Sequence, residues 1–400
     1  MRIAFITKRL KQTEAAVGAR RRTLYAINFF FAVHLALVSY YFAPFLTERS
    51  VPDALVGAFY ILGAVVTLAL LAIMPWVQRF VSNYALLLFA SLTEIGVFIV
   101  FTVSTSLWLI IPAFAIYFAV PVILGILLDF LLEENTSGEH TTGRVRTFFI
   151  TAANIGWIIS PMVGGTLLDV GDFPLLFTVS AFMMVPFVIM ALVYFRSTPN
   201  RVKKNTRMQT VWKRIFRNIN LRGVFLSYFL LQFFYATVAV YVPLYLYKTM
   251  GFSYEMIGSV SAIMLIPFIL IEVPAGKLAD TLWGEREMLA LGLLIAAMST
   301  MLIGAMTSTS FLAWASILFI TRIGAALTEA MSNSYFFKQV DESNAVLVTA
   351  FRSLSSFAYI AGPLLASALL FFVPMSVLFV VVGIIILAGI PFVLIIKDTR

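Results

Sequence analysis

A chain of 400 residues with 61% hydrophobic and 12% charged side chains, at a mean hydropathy of +0.98, is excluded from the soluble globular class, which needs a charged coat. Its net charge of +9 would suit a polyanion binder if the basic residues shared one surface, but they fall in gaps between apolar runs. With no cysteine, two histidines and no His-x-x-x-His or Glu-x-x-His pair, no disulfide, metal site or cofactor is expected.

Twelve apolar runs of about 20 residues follow one another, each long enough as a helix to cross about 30 Å of hydrocarbon. They predict spans at 24–46, 54–76, 83–104, 107–131, 146–168 and 173–195, then at 223–247, 254–276, 287–307, 311–335, 345–370 and 373–396. The first run follows seven Lys/Arg within 22 residues, yet it is too long for a signal peptide and lacks a small-residue cleavage pattern. It reads as a span. Gaps such as Ser104–Ser106 and Thr307–Ser310 are so short that consecutive helices must be antiparallel neighbours. Longer polar loops are expected at Glu133–Thr142 and Phe337–Asn344. Strands are excluded, because lipid offers open backbone groups no partner, and the fold class is an all-α polytopic membrane protein.

Between the sixth and seventh runs, Arg196–Arg222 carries nine Lys/Arg and no Asp or Glu. It divides the chain into a six-helix bundle over 1–195 with a basic N-terminus, a basic linker over 196–222, and a second bundle over 223–400. Val211, Trp212, Ile215 and Phe216 predict a short amphipathic linker helix on the membrane surface, with Lys213, Arg214 and Arg217 facing phosphate. With both termini inside, 24 of 28 Lys/Arg are cytoplasmic and only Arg49 and Lys248 lie outside. That asymmetry predicts a cytoplasmic-membrane protein with termini and linker in the cytoplasm. The basic balance thus reports orientation and attraction to anionic membrane lipid, with no nucleic-acid partner. The halves also repeat: Ser160-Pro161-Met162-Val163-Gly164-Gly165 in span five corresponds to Gly362-Pro363-Leu364-Leu365-Ala366-Ser367 in span eleven. A repeated six-span bundle builds a cavity between two similar bodies.

Gly276-Lys277-Leu278-Ala279-Asp280-Thr281-Leu282-Trp283-Gly284-Glu285-Arg286, between spans eight and nine, resembles the loop motif of the major facilitator superfamily, Gly-x-Leu-Ala-Asp-Arg-x-Gly-Arg-Lys. One residue is inserted before Gly284, and Thr281 stands at the Arg position. Gly276 would let two helices approach closely, Gly284 would permit the tight turn, and Asp280 would face a neighbouring helix N-terminus. The half-repeat sets span five across the interface, so Asp280 is expected beside Arg144 or Arg146, forming an inner gate with Arg286. The first-half copy, Pro75-Trp76-Val77-Gln78-Arg79-Phe80, lacks the Gly and the Asp, which makes the gate asymmetric.

Gly156-Trp157-Ile158-Ile159-Ser160-Pro161-Met162-Val163-Gly164-Gly165 resembles the superfamily's fifth-span Gly-Pro motif, with Ser160 where Gly is usual. Gly156, Ser160, Gly164 and Gly165 allow close packing and Pro161 bends the helix, a pivot that Gly362 and Pro363 repeat in the second half. The resemblance implies two pseudo-symmetric six-helix bundles acting as a monomeric secondary transporter that moves a small organic solute by alternating access. Proton coupling is expected because protonatable side chains sit within the spans.

An ionised group at mid-membrane costs about 2.5–3.5 kcal/mol on insertion scales, so intramembrane charge marks chemistry. The candidates are His34, Glu94, Asp129, Glu272, Arg322, Glu329 and Arg352. The resemblance implies that spans one, four, seven and ten line the cavity, placing His34, Asp129, Arg322 and Glu329 on the path of solute or proton. Gln232 and the aromatic Phe233, Phe234, Tyr235, Tyr241 and Tyr245 on span seven are further cavity candidates. Arg322 and Glu329 share a helix face but rise about 10 Å apart, with Arg322 leaning away, so no direct pair is expected. Glu272, Glu329 and Arg352 fall at similar depth and are expected to form one network at the inner mouth. Glu94, on a span the resemblance places outside the cavity, is expected at a structural or lipid-edge position.

Two alternatives stand beside transport. A membrane-embedded enzyme acting on lipid-linked substrates would need acids clustered at one interface; Glu133, Glu134 and Glu139 are the candidates, but their single-loop spacing suits a solvated surface. A non-transporting receptor is the other. No Gly-rich Lys loop is present to cradle phosphate, so ATP drive is not expected.

Overall fold

Long apolar segments in lipid satisfy their backbone by coiling, and the computed structural model contains no strand among the residues it describes. Those are residues 2–134, 139–195, 215, 217–279, 283–340 and 345–397, with side chains excepted at 2–17, 134, 139–144, 272–273, 277 and 345–346. The first half comprises α1 (Arg2–Val38), α2 (Phe42–Glu48), α3 (Asp53–Val77), α4 (Asn83–Val103), α5 (Leu107–Glu134), α6 (Glu139–Val170) and α7 (Phe173–Tyr194). The second comprises α8 (Ile219–Lys248), α9 (Tyr254–Leu278), α10 (Glu285–Ala305), α11 (Phe311–Gln339), α12 (Ala345–Leu370) and α13 (Met375–Leu394). Among the described residues, eleven helices are long and apolar enough to cross a membrane, and twelve spans result when the α1–α2 pair, bent by 41°, counts as one.

Four sequence expectations need correction here. The first span is not one continuous helix. Pro44 has no N–H to offer the Tyr40 carbonyl four residues back and its ring crowds that group, so the helix breaks over 39–41 and restarts at Phe42. Helices extend into the expected loops at Glu133–Thr142 and Phe337–Asn344: α5 runs to Glu134, α6 starts at Glu139 and α11 runs to Gln339, past the apolar stretches that defined the spans. Most of the linker lies outside the described residues, and Ile215, expected on the membrane surface, is instead 3% exposed within the protein core. A Cβ on Gly276 would meet nothing within 4 Å, so no close helix approach explains that glycine. Gly284 does serve its turn: its φ of +67° lies in the left-handed region, and it caps α10.

The helices hold their polar atoms internally. Thr67, Thr321 and Thr328 return their hydroxyls to carbonyls four residues back, at 2.7–2.8 Å. Ser82, Asn218 and Ser253 cap α4, α8 and α9 with side-chain oxygens. Phe89, Trp108 and Leu312 stay exposed on the outside of the bundles, which suits lipid and not water.

Packing follows the repeat. α1 packs on α6 and α7, as α8 packs on α12 and α13; α5 packs on α3 and α4, as α11 packs on α9 and α10. The two bundles meet along α6–α9 and along α3–α12, which the same repeat relates. At the first seam the Tyr41 hydroxyl donates to the Pro161 carbonyl at 2.5 Å, and a Cβ on Gly258 would collide with both. At the second, a Cβ on Gly57 would lie 2.6 Å from the Pro363 carbonyl oxygen and 2.7 Å from Tyr241 Oη. Each seam is thus a proline carbonyl set against a glycine of the other bundle, with a tyrosine from α2's N-terminal boundary or from α8 beside it. Gly156 and Gly164 face α1, and Gly362 faces α8, so the small residues of the fifth-span resemblance serve contacts within each bundle as well as between them.

Candidate functional site

Between the halves lies a cavity of about 460 Å³. The break after α1 delivers Ser39 and Tyr40 to its wall; α3 and α5 supply Tyr60 and Tyr117, and α6 supplies Asn154 and Trp157. From the second half come Gln232 and Tyr235 on α8, Arg322 and Glu329 on α11, and Tyr359 on α12. Among the described residues, one cation and one acid therefore share a chamber rich in aromatic rings.

Arg322 is 3% exposed, and its guanidinium carbon sits 5.3 Å from the ring centroids of both Phe234 and Tyr235. These faces attract a cation by roughly 0.5–2 kcal/mol each. No hydrogen-bond acceptor or carboxylate partners the guanidinium among the described residues. Its five N–H groups are therefore held in place by rings while their directional bonds stay uncommitted. Glu329 stands two turns on, where the Tyr235 hydroxyl donates to its Oε2 at 2.8 Å and Asn333 Nδ2 donates to its backbone carbonyl at 3.0 Å. Tyr235 thus touches both charges, giving its ring to Arg322 and its hydroxyl to Glu329. Arg322 and Glu329 form no direct ion pair, in keeping with their separation along the helix and with Arg322 leaning toward the helix N-terminus, away from Glu329.

His34 is off this wall. It is fully buried between α1, α4 and α7. Its Nδ1 donates to the Ser180 carbonyl at 2.9 Å, the Ser180 hydroxyl donates to the His34 carbonyl at 2.8 Å, and Nε2 lies 3.6 Å from Glu94 Oε2. At 3.6 Å that approach is longer than a hydrogen bond, so His34 Nε2 and both Glu94 carboxyl oxygens have no hydrogen-bond partner among the described residues. Glu94, at 0% exposure, is not at the lipid edge.

Asp129, expected on the solute path, instead bridges the halves: Arg352 Nη1 donates to its Oδ2 at 3.0 Å, across the seam between α5 and α12. Of the expected network of Glu272, Glu329 and Arg352, Glu329 accepts from Tyr235 and Arg352 pairs with Asp129, and the Glu272 side chain lies outside the described residues. Asp280 and the Arg144 side chain also lie outside them, so their contact is not described, and Arg146 is exposed. Arg286 pairs with its neighbour Glu287, while Lys338 and Ser334 on α11 hold the buried Glu285 at the start of α10. Of the span-seven aromatic set, Tyr235 joins Gln232 on the wall, Phe234 backs Arg322, and Phe233, Tyr241 and Tyr245 are core. The sequence reading missed Tyr40, Tyr60, Tyr117, Asn154, Trp157 and Tyr359; a polar Asn154 inside an apolar run was the one visible signal.

Polar contacts join the halves at both ends of the cavity. At the face of the short inter-helix loops, Glu48 accepts from the hydroxyls of Tyr254 (2.5 Å) and Tyr247 (3.2 Å), and Lys248 pairs with Asp53 at 2.5 Å. Asp169, ending α6, accepts the backbone N–H groups of Tyr254 and Glu255 at 3.1 and 3.0 Å, capping α9 from the other bundle. At the linker face, the polar contact across the halves among the described residues is Arg352–Asp129, with side chains 51% and 35% exposed.

The sequence model of the Major Facilitator Superfamily matches residues 134–263 and 224–400. The chain belongs to the major facilitator superfamily. No curated protein matches it. Among solved structures it is similar to a peptide transporter POT in complex with sulfate, at 14% identity over 94% of this chain and 93% of that one, with a TM-score of 0.75. It is similar also to a mutant of that transporter in complex with alafosfalin (14%, 94% and 93%, TM-score 0.76) and to a POT family transporter in complex with a thioalcohol conjugated peptide (13%, 95% and 95%, TM-score 0.74). At these identities the likeness is one of fold: an all-helical bundle pair of the superfamily's architecture. Superfamily membership makes the chain a multi-pass secondary transporter in class, in a family whose members are typically transporters rather than enzymes.

Proposed function

We propose that this superfamily member moves a small organic solute across the cytoplasmic membrane by alternating access, coupled to a proton carried at Glu329. The observation that carries this reading is the buried, uncommitted Arg322 guanidinium sharing one cavity with an acid that is already oriented by a neighbour. A midplane cation without a partner is costly, and a solute group or water must complete it. When Glu329 is protonated the cavity carries a net positive charge; when it is ionised, the two formal charges cancel. Proton binding thus alters solute affinity without any direct contact between the sites.

Alternation would make and break the contacts at the two ends in turn. Bundle 1–195 and bundle 223–400 would rock about the two proline–glycine seams, with 196–222 as the tether. Release at the short-loop face requires breaking the Glu48, Asp169 and Asp53 contacts, and closure at the linker face would engage the Gly276–Arg286 loop beside Arg352 and Asp129. His34 and Glu94 bind three helices of one bundle and stay outside the solute path. The termini and the linker are cytoplasmic by the distribution of Lys/Arg, and the transporter works as a monomer.

The test uses purified protein in proteoliposomes, screened across solute classes with and without an imposed pH gradient. The reading expects at least one class to accumulate against its gradient when the pH difference is present. Glu329→Gln should then abolish accumulation yet retain solute exchange at zero gradient. Accumulation by Glu329→Gln equal to that of the wild type would overturn the coupling assignment.

A further inference from the structure

Resting on that transport reading, we infer that the solute is an amphipathic organic monoanion whose carboxylate, or similar acid group, docks on Arg322 while an aromatic or aliphatic body fills the ring-walled remainder of the cavity. A guanidinium whose planar fork is uncommitted matches a carboxylate in two parallel hydrogen bonds. The rings of Phe234 and Tyr235 hold its carbon at 5.3 Å, so little side-chain freedom is lost when an anion arrives. A bare inorganic anion would satisfy Arg322 but leave Tyr60, Phe118, Trp157 and Tyr359 facing water. At about 460 Å³ the chamber lies within the ~300–1,000 Å³ range of small-molecule sites, so an apolar body has room.

The opposite charge has no equal claim. Glu329, the acid on this wall among the described residues, already accepts the Tyr235 hydroxyl, and an organic cation would meet Arg322 in the same low-dielectric space. With Glu329 protonated, the positive chamber takes the anion; when that proton leaves toward the other compartment, the electrostatic preference for the anion falls. One proton and one monoanion cross together, so no net charge moves per cycle.

Three ligands sharing one ring separate the possibilities: 2-naphthoate, 2-naphthamide and 2-naphthylmethylammonium, with inorganic sulfate as a fourth. Equilibrium binding to the purified full-length protein is followed through the fluorescence of Trp157, with Trp157→Phe as the control for site. The inference expects 2-naphthoate to bind at least tenfold more tightly than the amide, the ammonium or sulfate. Arg322→Gln should reduce naphthoate to the amide's affinity, and Arg322→Lys, which keeps the charge but loses the fork, should fall between. Thermal unfolding of both variants verifies that they are folded. Equal binding of the amide or the ammonium, sulfate binding as tightly as naphthoate, undiminished naphthoate binding by Arg322→Gln, or no binding of any of the four would overturn it. The two readings fail separately: Arg322-dependent naphthoate binding without flux of any solute defeats the transport reading, whereas proton-driven flux of a neutral or cationic solute defeats this one.

Discussion

Two buried ionisable sites in this chain face opposite energetic demands. Arg322 has rings but no acid, so truncating it removes roughly 0.5–2 kcal/mol of cation–π attraction per ring while relieving the burial of an unpaired charge. Arg322→Gln should therefore leave the unfolding temperature of the purified protein nearly unchanged; a fall as large as that caused by an unsatisfied core substitution would assign Arg322 to structure. Glu94 is the contrary case. Glu94→Leu takes away the polar group nearest the buried His34 Nε2, which stands 3.6 Å off and just beyond hydrogen-bond reach, while Glu94→Gln keeps an amide N–H facing it. Unfolding measured on both variants should show the leucine clearly less stable than the glutamine, with solute uptake retained by the glutamine. The depth of these side chains could be read by counting along each span. Their azimuth could not, because apolar periodicity is weak when both lipid and core are apolar, so Glu94 was expected at a structural or a lipid-edge position, and it is buried within the bundle.

At the scale of elements, the broken first span and the glycine seams decide how the cavity is built. Pro44 was legible as a breaker, yet hydropathy alone ran straight through it, since the residues on both sides are apolar. Pro44→Ala restores the donor for the Tyr40 carbonyl, lets α1 and α2 fuse, and should withdraw Ser39 and Tyr40 from the wall. The expected readout is a raised KM for the transported solute with the protein still folded. At the α6–α9 seam a side chain on Gly258 would collide with the Pro161 carbonyl and the Tyr41 hydroxyl, so Gly258→Val should wedge the short-loop face open. The chain has no native cysteine, so a single Ala239→Cys on the cavity wall can report this. Labelling by an impermeant maleimide from the short-loop side should rise several-fold in Gly258→Val, and unchanged labelling would remove the seam from the gate.

Across the whole molecule, twelve spans, two bundles and the half-repeat were legible because they are written as length and hydropathy. The gates were not, because they join residues as distant as Asp129 and Arg352 or Asp169 and Tyr254, and nothing in local pattern reports such pairs. An exposed ion pair such as Arg352–Asp129 is worth about 0–1 kcal/mol, which suits a latch that must open in every cycle. Asp129→Asn should accordingly shift the population of conformers without unfolding the protein. Spin labels across the linker face, read as a distance distribution, should show a larger wide-open fraction in the variant; identical distributions would leave the pair without a gating role.

Everything in this account converges on solute passing Arg322 between two rocking bundles. The most direct measurement is uptake of an organic monoanion into proteoliposomes under an imposed inward proton gradient, with wild type and Arg322→Gln reconstituted at equal density. The account predicts accumulation by the wild type that collapses when the gradient is dissipated, is unaffected by clamping the membrane potential, and falls at least tenfold in Arg322→Gln. Equal accumulation by the two proteins would contradict it.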